Sequence, residues 1–141
     1  MWFRQSRLAD LDHTYVWAAF DRKASGHVGN VSIRIICRDV YQLGDIGYRV
    51  FNRHWGKGYG KEMLRAGILA GLMDLNLNRL EAYIDPDNKR YIALVKSLGL
   101  YRDGLRKHCY FQGGKWDDQV IYSVTRAQLK LPKLDPKIVR P

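Results

Sequence analysis

One stretch constrains this chain more than any other: Trp55-Gly56-Lys57-Gly58-Tyr59-Gly60-Lys61, three glycines between a strand-like segment and a helix-periodic one. A helix start exposes backbone N–H groups with no partner inside the helix, and glycines let an anion approach them closely, so such a loop suits phosphate. The helix dipole contributes about 0.3–1 kcal/mol and each hydrogen bond to a charged oxygen about 1.5–3, so a few together account for micromolar affinity. Lys57 and Lys61 add positive charge. Two well-known phosphate loops fail on spacing. A Walker loop needs Lys followed by Ser or Thr, whereas Gly60-Lys61 is followed by Glu62, and the upstream glycine is one position too close. A dinucleotide fingerprint needs two residues between its second and third glycines, and Gly58-Tyr59-Gly60 has one.

The flanks give the fold class. Residues 15–20 have strand composition, 21–26 read as a turn, and 27–37 carry Val28, Val31, Ile33 and Ile35 as a second strand. In 41–50, Ile46, Tyr48 and Val50 alternate onto one face of a third strand. Over 61–75 the apolar residues Met63, Leu64, Ile68, Leu69, Leu72, Met73 and Leu75 recur at helical spacing. Residues 80–84 form a short strand, and 88–98 a helix that Asn88 opens and Gly99 closes. Strands over 105–111 and 116–124 flank Gln112-Gly113-Gly114-Lys115 as a hairpin. Residues 1–12 read as the end of a helix. The order is three strands, helix, strand, helix, two strands, an α/β (α+β) pattern.

With 141 residues, 46% of them hydrophobic, the chain can bury one core, so 1–125 is expected to be a single domain. Residues 126–141 hold five Lys/Arg, one Asp and three of the four prolines, and read as a basic, solvated tail. A net charge of +10 calls for a polyanionic partner: phosphorylated cofactor, RNA, ribosome or membrane surface. No apolar run approaches the roughly 20 residues that span a bilayer, so no membrane partner is expected. From two isolated cysteines and an opening without an apolar stretch, a reducing, cytoplasmic compartment is expected. Neither the histidines nor Cys37 and Cys109 form a metal-ligand pair, so no metal is expected. The aromatic residues fit strand packing rather than a base-stacking platform.

The loop sits in an ordered series: Gly47-Tyr48, then Trp55 to Gly60, Asn78-Arg79-Leu80-Glu81-Ala82, Asn88, Leu98-Gly99, Gly104-Leu105-Arg106, Asp118 and Tyr122-Ser123. This series resembles the GNAT N-acetyltransferases, and within them the RimJ/RimL-type branch that acetylates the N-termini of ribosomal proteins. The likeness runs from about residue 15 to 124. It implies a mixed, mostly antiparallel sheet flanked by helices and splayed where acetyl-CoA enters. Relatives carry a strand and one or two helices ahead of the element at Tyr15, so the resemblance also implies an N-terminally truncated acceptor half. The family's pyrophosphate loop, Gln/Arg-x-x-Gly-x-Gly/Ala, falls on Trp55, Gly56, Lys57, Gly58, Tyr59 and Gly60, with Trp55 in the Gln/Arg place and Lys61 following; a match shifted to begin at Arg53 would put Gly58 last, out of line with a helix start at Lys61, and the first register is preferred.

The activity implied is transfer of an acetyl group from acetyl-CoA to a primary amine by direct attack in a ternary complex, with a protein N-terminus ahead of lysine, polyamine or small molecule. An α-amine with a pKa near 8 needs little help at neutral pH, while a lysine amine near 10.4 needs more. Backbone N–H groups around Tyr48, Arg49 and Val50 are the expected oxyanion donors. Glu81 and Asp45 resemble the family's acidic positions, and structural roles compete with catalysis for both. Asn88 matches the asparagine that bonds the pantetheine arm and is also an ordinary N-cap. Arg90 is a candidate for the ribose phosphate. Val95 stands where many GNATs carry a tyrosine general acid, which leaves Tyr91 or water to protonate the thiolate. His54, beside the loop, can relay a proton or contact phosphate. The competing reading is a catalytically weak GNAT-like module that binds RNA, ribosome or a protein partner; a homodimer is also compatible.

Overall fold

The computed structural model describes residues 2–5, 11–24 and 26–134. Seven strands form one sheet among these residues, in the order β1-β2-β3-β4-β5-β7-β6. They are β1 (Trp2–Gln5), β2 (Thr14–Phe20), β3 (His27–Cys37), β4 (Leu43–Val50), β5 (Arg79–Ile84), β6 (Tyr101–Gln112) and β7 (Lys115–Thr125). Helix α1 (Tyr59–Leu69) crosses from β4 to β5, and α2 (Lys89–Ser97) from β5 to β6. The crossover makes β4 and β5 parallel, whereas the other described pairs are antiparallel. The mixed, mostly antiparallel sheet expected from the sequence is thus observed.

The expected helix end over 1–12 is corrected at its start: Trp2–Gln5 is a strand, registered Trp2↔Phe20 to Gln5↔Trp17 against β2. A dozen residues of weak periodicity hold no helix unaided, whereas the edge of β2 offers unpaired backbone groups. Residues 6–10 lie outside the described part. The tail also departs from expectation. Arg126 is buried, its guanidinium donating to the carbonyls of Leu72 and of Pro132, and Leu131 N–H bonds Arg126 O. Residues 126–134 therefore turn back onto the domain, and 135–141 lie outside the described part.

Both helices pack on one face of the sheet. Alternation along the strands sends Val31, Ile33, Ile46, Leu80, Ala82, Ile84, Val120 and Val124 to that face, where Leu64, Ile68, Leu72 and Val95 meet them. At Gly67 a Cβ would come 2.6 Å from a Val31 methyl, so glycine here sets how closely α1 can lie on β3. The helix predicted over 61–75 begins earlier, at Tyr59, and finishes in a π-type turn, Ala70–Asp74, where Leu75 N–H reaches back to Ala70 O. The sheet's other face carries Arg34, Asp45, Arg49, Arg79, Glu81, Tyr83 and Ser123, by the same alternation.

Candidate active site

The parallel pair gives the site its shape. β4 and β5 stay in register over Leu43↔Arg79, Gly44↔Leu80 and Asp45↔Glu81, and then part, although β4 runs on to Val50 and β5 to Ile84. Beyond Asp45 and Glu81 the sheet has a gap. Ile46 O faces this gap, because the Tyr91 hydroxyl donates to it at 3.1 Å, and Val50 O faces away from β3, accepting Trp55 Nε1 at 2.8 Å. Backbone groups alternate sides every residue, so the N–H groups of Tyr48 and Val50 point into the gap as well. Those of Gly47 and Arg49 point to β3. Arg49 is accordingly set apart from the other expected oxyanion donors: its N–H belongs to the ladder opposite Asn30 and its side chain lies on the exposed opposite face.

On the helix face, the gap opens into a cleft of about 330 Å³ lined by Tyr48, Val50, Trp55, Gly58, Lys61, Arg90 and Leu94, among others. A larger groove of about 520 Å³ runs beside α1, lined by Trp17, Val31, Met73 and Asp74 among others. Gly58 caps α1 in the left-handed conformation (φ 79°), with open space where a side chain would begin, so an incoming ligand can come up against the first-turn amides. Gly60 lies against the Tyr48 ring, 3.0 Å from where its Cβ would be, which explains a glycine inside the first turn of α1. The loop adjoins Lys61 and the helix start, but α1 begins directly after Gly58, so Tyr59 and Gly60, expected in the loop, form its first turn; this arrangement fits a diphosphate. Lys57 is exposed and does not line the cleft.

Helix α2 forms the other wall. Asn88 caps it, its Oδ1 accepting from Tyr91 N–H at 3.1 Å. Arg90 holds its guanidinium over the Trp55 ring at 4.9 Å, spanning the two walls. The Tyr91 ring stands edge-on to Tyr48, centroids 5.0 Å apart, and burial pushes its hydroxyl well above the usual tyrosine range. Tyr48 is also raised by burial, with the Arg90 charge pulling the other way. Val95, one turn beyond Tyr91, is wholly buried in the core. Ala93 and Leu94 were missed as lining residues, although their i+3 and i+4 spacing from Arg90 places all three on one face of α2.

The carboxylates occupy the opposite face at the narrow end of the gap. As register partners in a parallel pair, Asp45 and Glu81 lie side by side. Arg34 neutralises Asp45 through Nε at 3.1 Å and Nη2 at 2.5 Å. Glu81 is buried and more loosely held: Arg79 is 3.7 Å away and also engages Asp103, and the Tyr83 hydroxyl donates at 3.4 Å. Burial, and then the Glu81 charge, raise the Tyr83 hydroxyl. The gap therefore joins the cleft at the start of α1 on one face to a loosely partnered carboxylate on the other.

A model of the acetyltransferase (GNAT) domain matches residues 1–101. An uncharacterized N-acetyltransferase, p20, of Bacillus licheniformis is 34% identical over 84 residues, covering 60% of this chain and 47% of that protein. The ribosomal protein uS5-alanine N-acetyltransferase of Escherichia coli is 26% identical over 111 residues, covering 79% and 57%. This chain thus spans about half the length of these curated relatives. The structure of Mycobacterium smegmatis RimJ in complex with CoA-disulfide superposes with a TM-score of 0.80 at 22% identity, over 92% of this chain and 60% of that one, a likeness of fold. Among the described residues no helix is long and apolar enough to cross a membrane.

Proposed function

Because this chain belongs to the GNAT acetyltransferase family, we propose that it transfers the acetyl group of acetyl-CoA to a primary amine, with a protein N-terminus as the preferred acceptor. The observation that carries the proposal is the gap between β4 and β5, with helix-start amides opening on one side and Glu81 at its narrow end on the other. The preference for an N-terminus rests on the uS5-alanine relative and on the modest base that an α-amine requires. Association with ribosomes or RNA through the basic surface, and a cytoplasmic site of action, belong to the same reading.

Gly58, Tyr59, Gly60 and Lys61 would hold the diphosphate, with Arg90 and Trp55 above it and Asn88 near the pantetheine arm. Acetyl-CoA, when bound, supplies a thioester whose C–S bond breaks as the amine nitrogen bonds its carbonyl carbon. The Tyr48 and Val50 N–H groups orient that carbonyl and favour negative charge on its oxygen. Glu81 accepts the proton that the amine gives up, because its contacts leave it freer than Asp45, which Arg34 engages twice. Tyr91 keeps its proton at neutral pH and holds it at the edge of the gap, where a departing thiolate can take it.

The test is calorimetric titration with acetyl-CoA, followed by mass analysis of peptides with free N-terminal Ala or Ser and of matched peptides whose only amine is lysine. A gain of one acetyl group on the N-terminal series, with CoA released in equal amount, is expected. Absence of CoA binding at millimolar concentration overturns the reading, and acetylation confined to lysine overturns the acceptor preference.

A further inference from the structure

We infer that Arg106 is a specificity-determining residue for the acceptor, its guanidinium taking a side-chain carboxylate that follows the reactive N-terminal amine by one or two residues. This rests on the transferase reading above, in which Glu81 receives the proton of the amine.

Arg106 stands on β6, at the edge of the described sheet, opposite Gln119 of β7. Its side chain leans inward across β7, so that the guanidinium carbon lies 4.8 Å from the centre of the Tyr83 ring on β5. Tyr83 follows Glu81 by two residues and shares its face of the sheet, past the point where β4 and β5 part. Its hydroxyl donates to Glu81 Oε1 at 3.4 Å. Tyr83 therefore connects the two, with its hydroxyl at the carboxylate and its ring under the cation.

The neighbouring arginines of this face already hold carboxylates. Arg34 is paired with Asp45, and Arg79 with Asp103 and Glu81. Arg106 is exposed, and among the described residues it has no carboxylate partner. A guanidinium held over a ring keeps N–H donors to spare, in a fork that matches a carboxylate, and the ring limits the freedom it would lose on binding one. An extended peptide advances about 3.3 Å per residue. With its amine at Glu81, a chain leading past Tyr83 brings the side chain of its second or third residue to Arg106.

The test is kcat/KM for acetylation of C-terminally amidated peptides that begin with Ala and carry Asp, Asn or Lys at the second or the third position. The parent should favour Asp over Asn by about fivefold or more at one of these positions, chiefly through KM, and the preference should shrink as salt is raised. Arg106→Gln should lose the preference, and Arg106→Glu should turn it toward Lys, a reversal that loss of packing over Tyr83 does not produce. If one variant fails to fold, the other carries the comparison.

A parent with no preference for Asp, a preference that survives either substitution, or an Arg106→Glu variant indifferent to Lys overturns the assignment while leaving the transferase reading in place. A parent that acetylates no N-terminal amine removes both.

Discussion

The hydroxyl of Tyr59, the first residue of α1, donates to the carboxylate of Asp21 in the turn between β2 and β3, fastening the start of the helix to that turn. That bond, and then the backbone N–H groups of Ala24 and Lys23, hold the Asp21 carboxyl at about 2. Because the folded value lies below the unfolded one, the stabilisation is complete above pH 4 or so and is lost as the pH falls through about 2. Tyr59→Phe should return Asp21 toward the ordinary carboxylate range in an NMR titration. The stabilities of parent and variant should converge at the acid end, and the Kd for CoA should rise a few-fold as the helix start loosens.

The neighbouring carboxylates should respond differently to neutralisation. Glu81→Gln is expected to lower kcat by about 10²-fold or more with little change in the Kd for acetyl-CoA. Asp45→Asn removes a partner of Arg34, which is itself half-exposed, and should cost at most about 1 kcal/mol of stability with a smaller loss of rate. Steady-state kinetics beside denaturant titrations distinguish the two, and equal losses would argue against Glu81 as the base.

For Tyr91, substitution by phenylalanine removes the hydroxyl bonded to Ile46 O and leaves the ring against Tyr48. The expected result is a fall of about tenfold or more in kcat, with CoA affinity within about threefold. Val95→Tyr should not restore the rate, because Val95 is fully buried and a larger side chain there costs about 1–3 kcal/mol through overpacking.

At Gly58 the substituent decides the outcome. Alanine meets no neighbouring atom but must adopt the left-handed backbone, at a cost of about 1–2 kcal/mol. Glutamate brings a carboxylate to the anion site as well, and should abolish CoA binding in calorimetry while thermal unfolding resembles that of the alanine variant.

Arg126 gives a prediction about stability alone. Its guanidinium bonds two carbonyls, those of Leu72 and Pro132, from a buried position. Arg126→Ala should destabilise by about 2–4 kcal/mol and lower Tm on the order of 10 °C, whereas truncation after residue 134 should change neither Tm nor CoA affinity appreciably.

Most element positions could be read from local patterns, since alternation in 27–37 and helical spacing in 61–75 each report which side of one element is buried. The glycine loop was legible for a similar reason: a helix start rich in glycine advertises its amides wherever it lies in space. The strand at Trp2–Gln5 was not, because four residues carry no period and owe their conformation to the edge of β2.

What the sequence alone determined is the order of elements from β2 onward, the glycine-rich loop ahead of a helix and, by resemblance, the family. Tertiary structure alone decided that Asp45 and Glu81 adjoin, that Arg34 occupies the first and leaves the second freer, that Tyr91 reaches a carbonyl 45 residues away, and that Arg126 is core rather than tail. The physical reason is range. Periodicity and capping are fixed by interactions within a turn or two of chain, whereas the pairing of β4 with β5, and the point at which they part, depends on how α1 packs across the sheet between them.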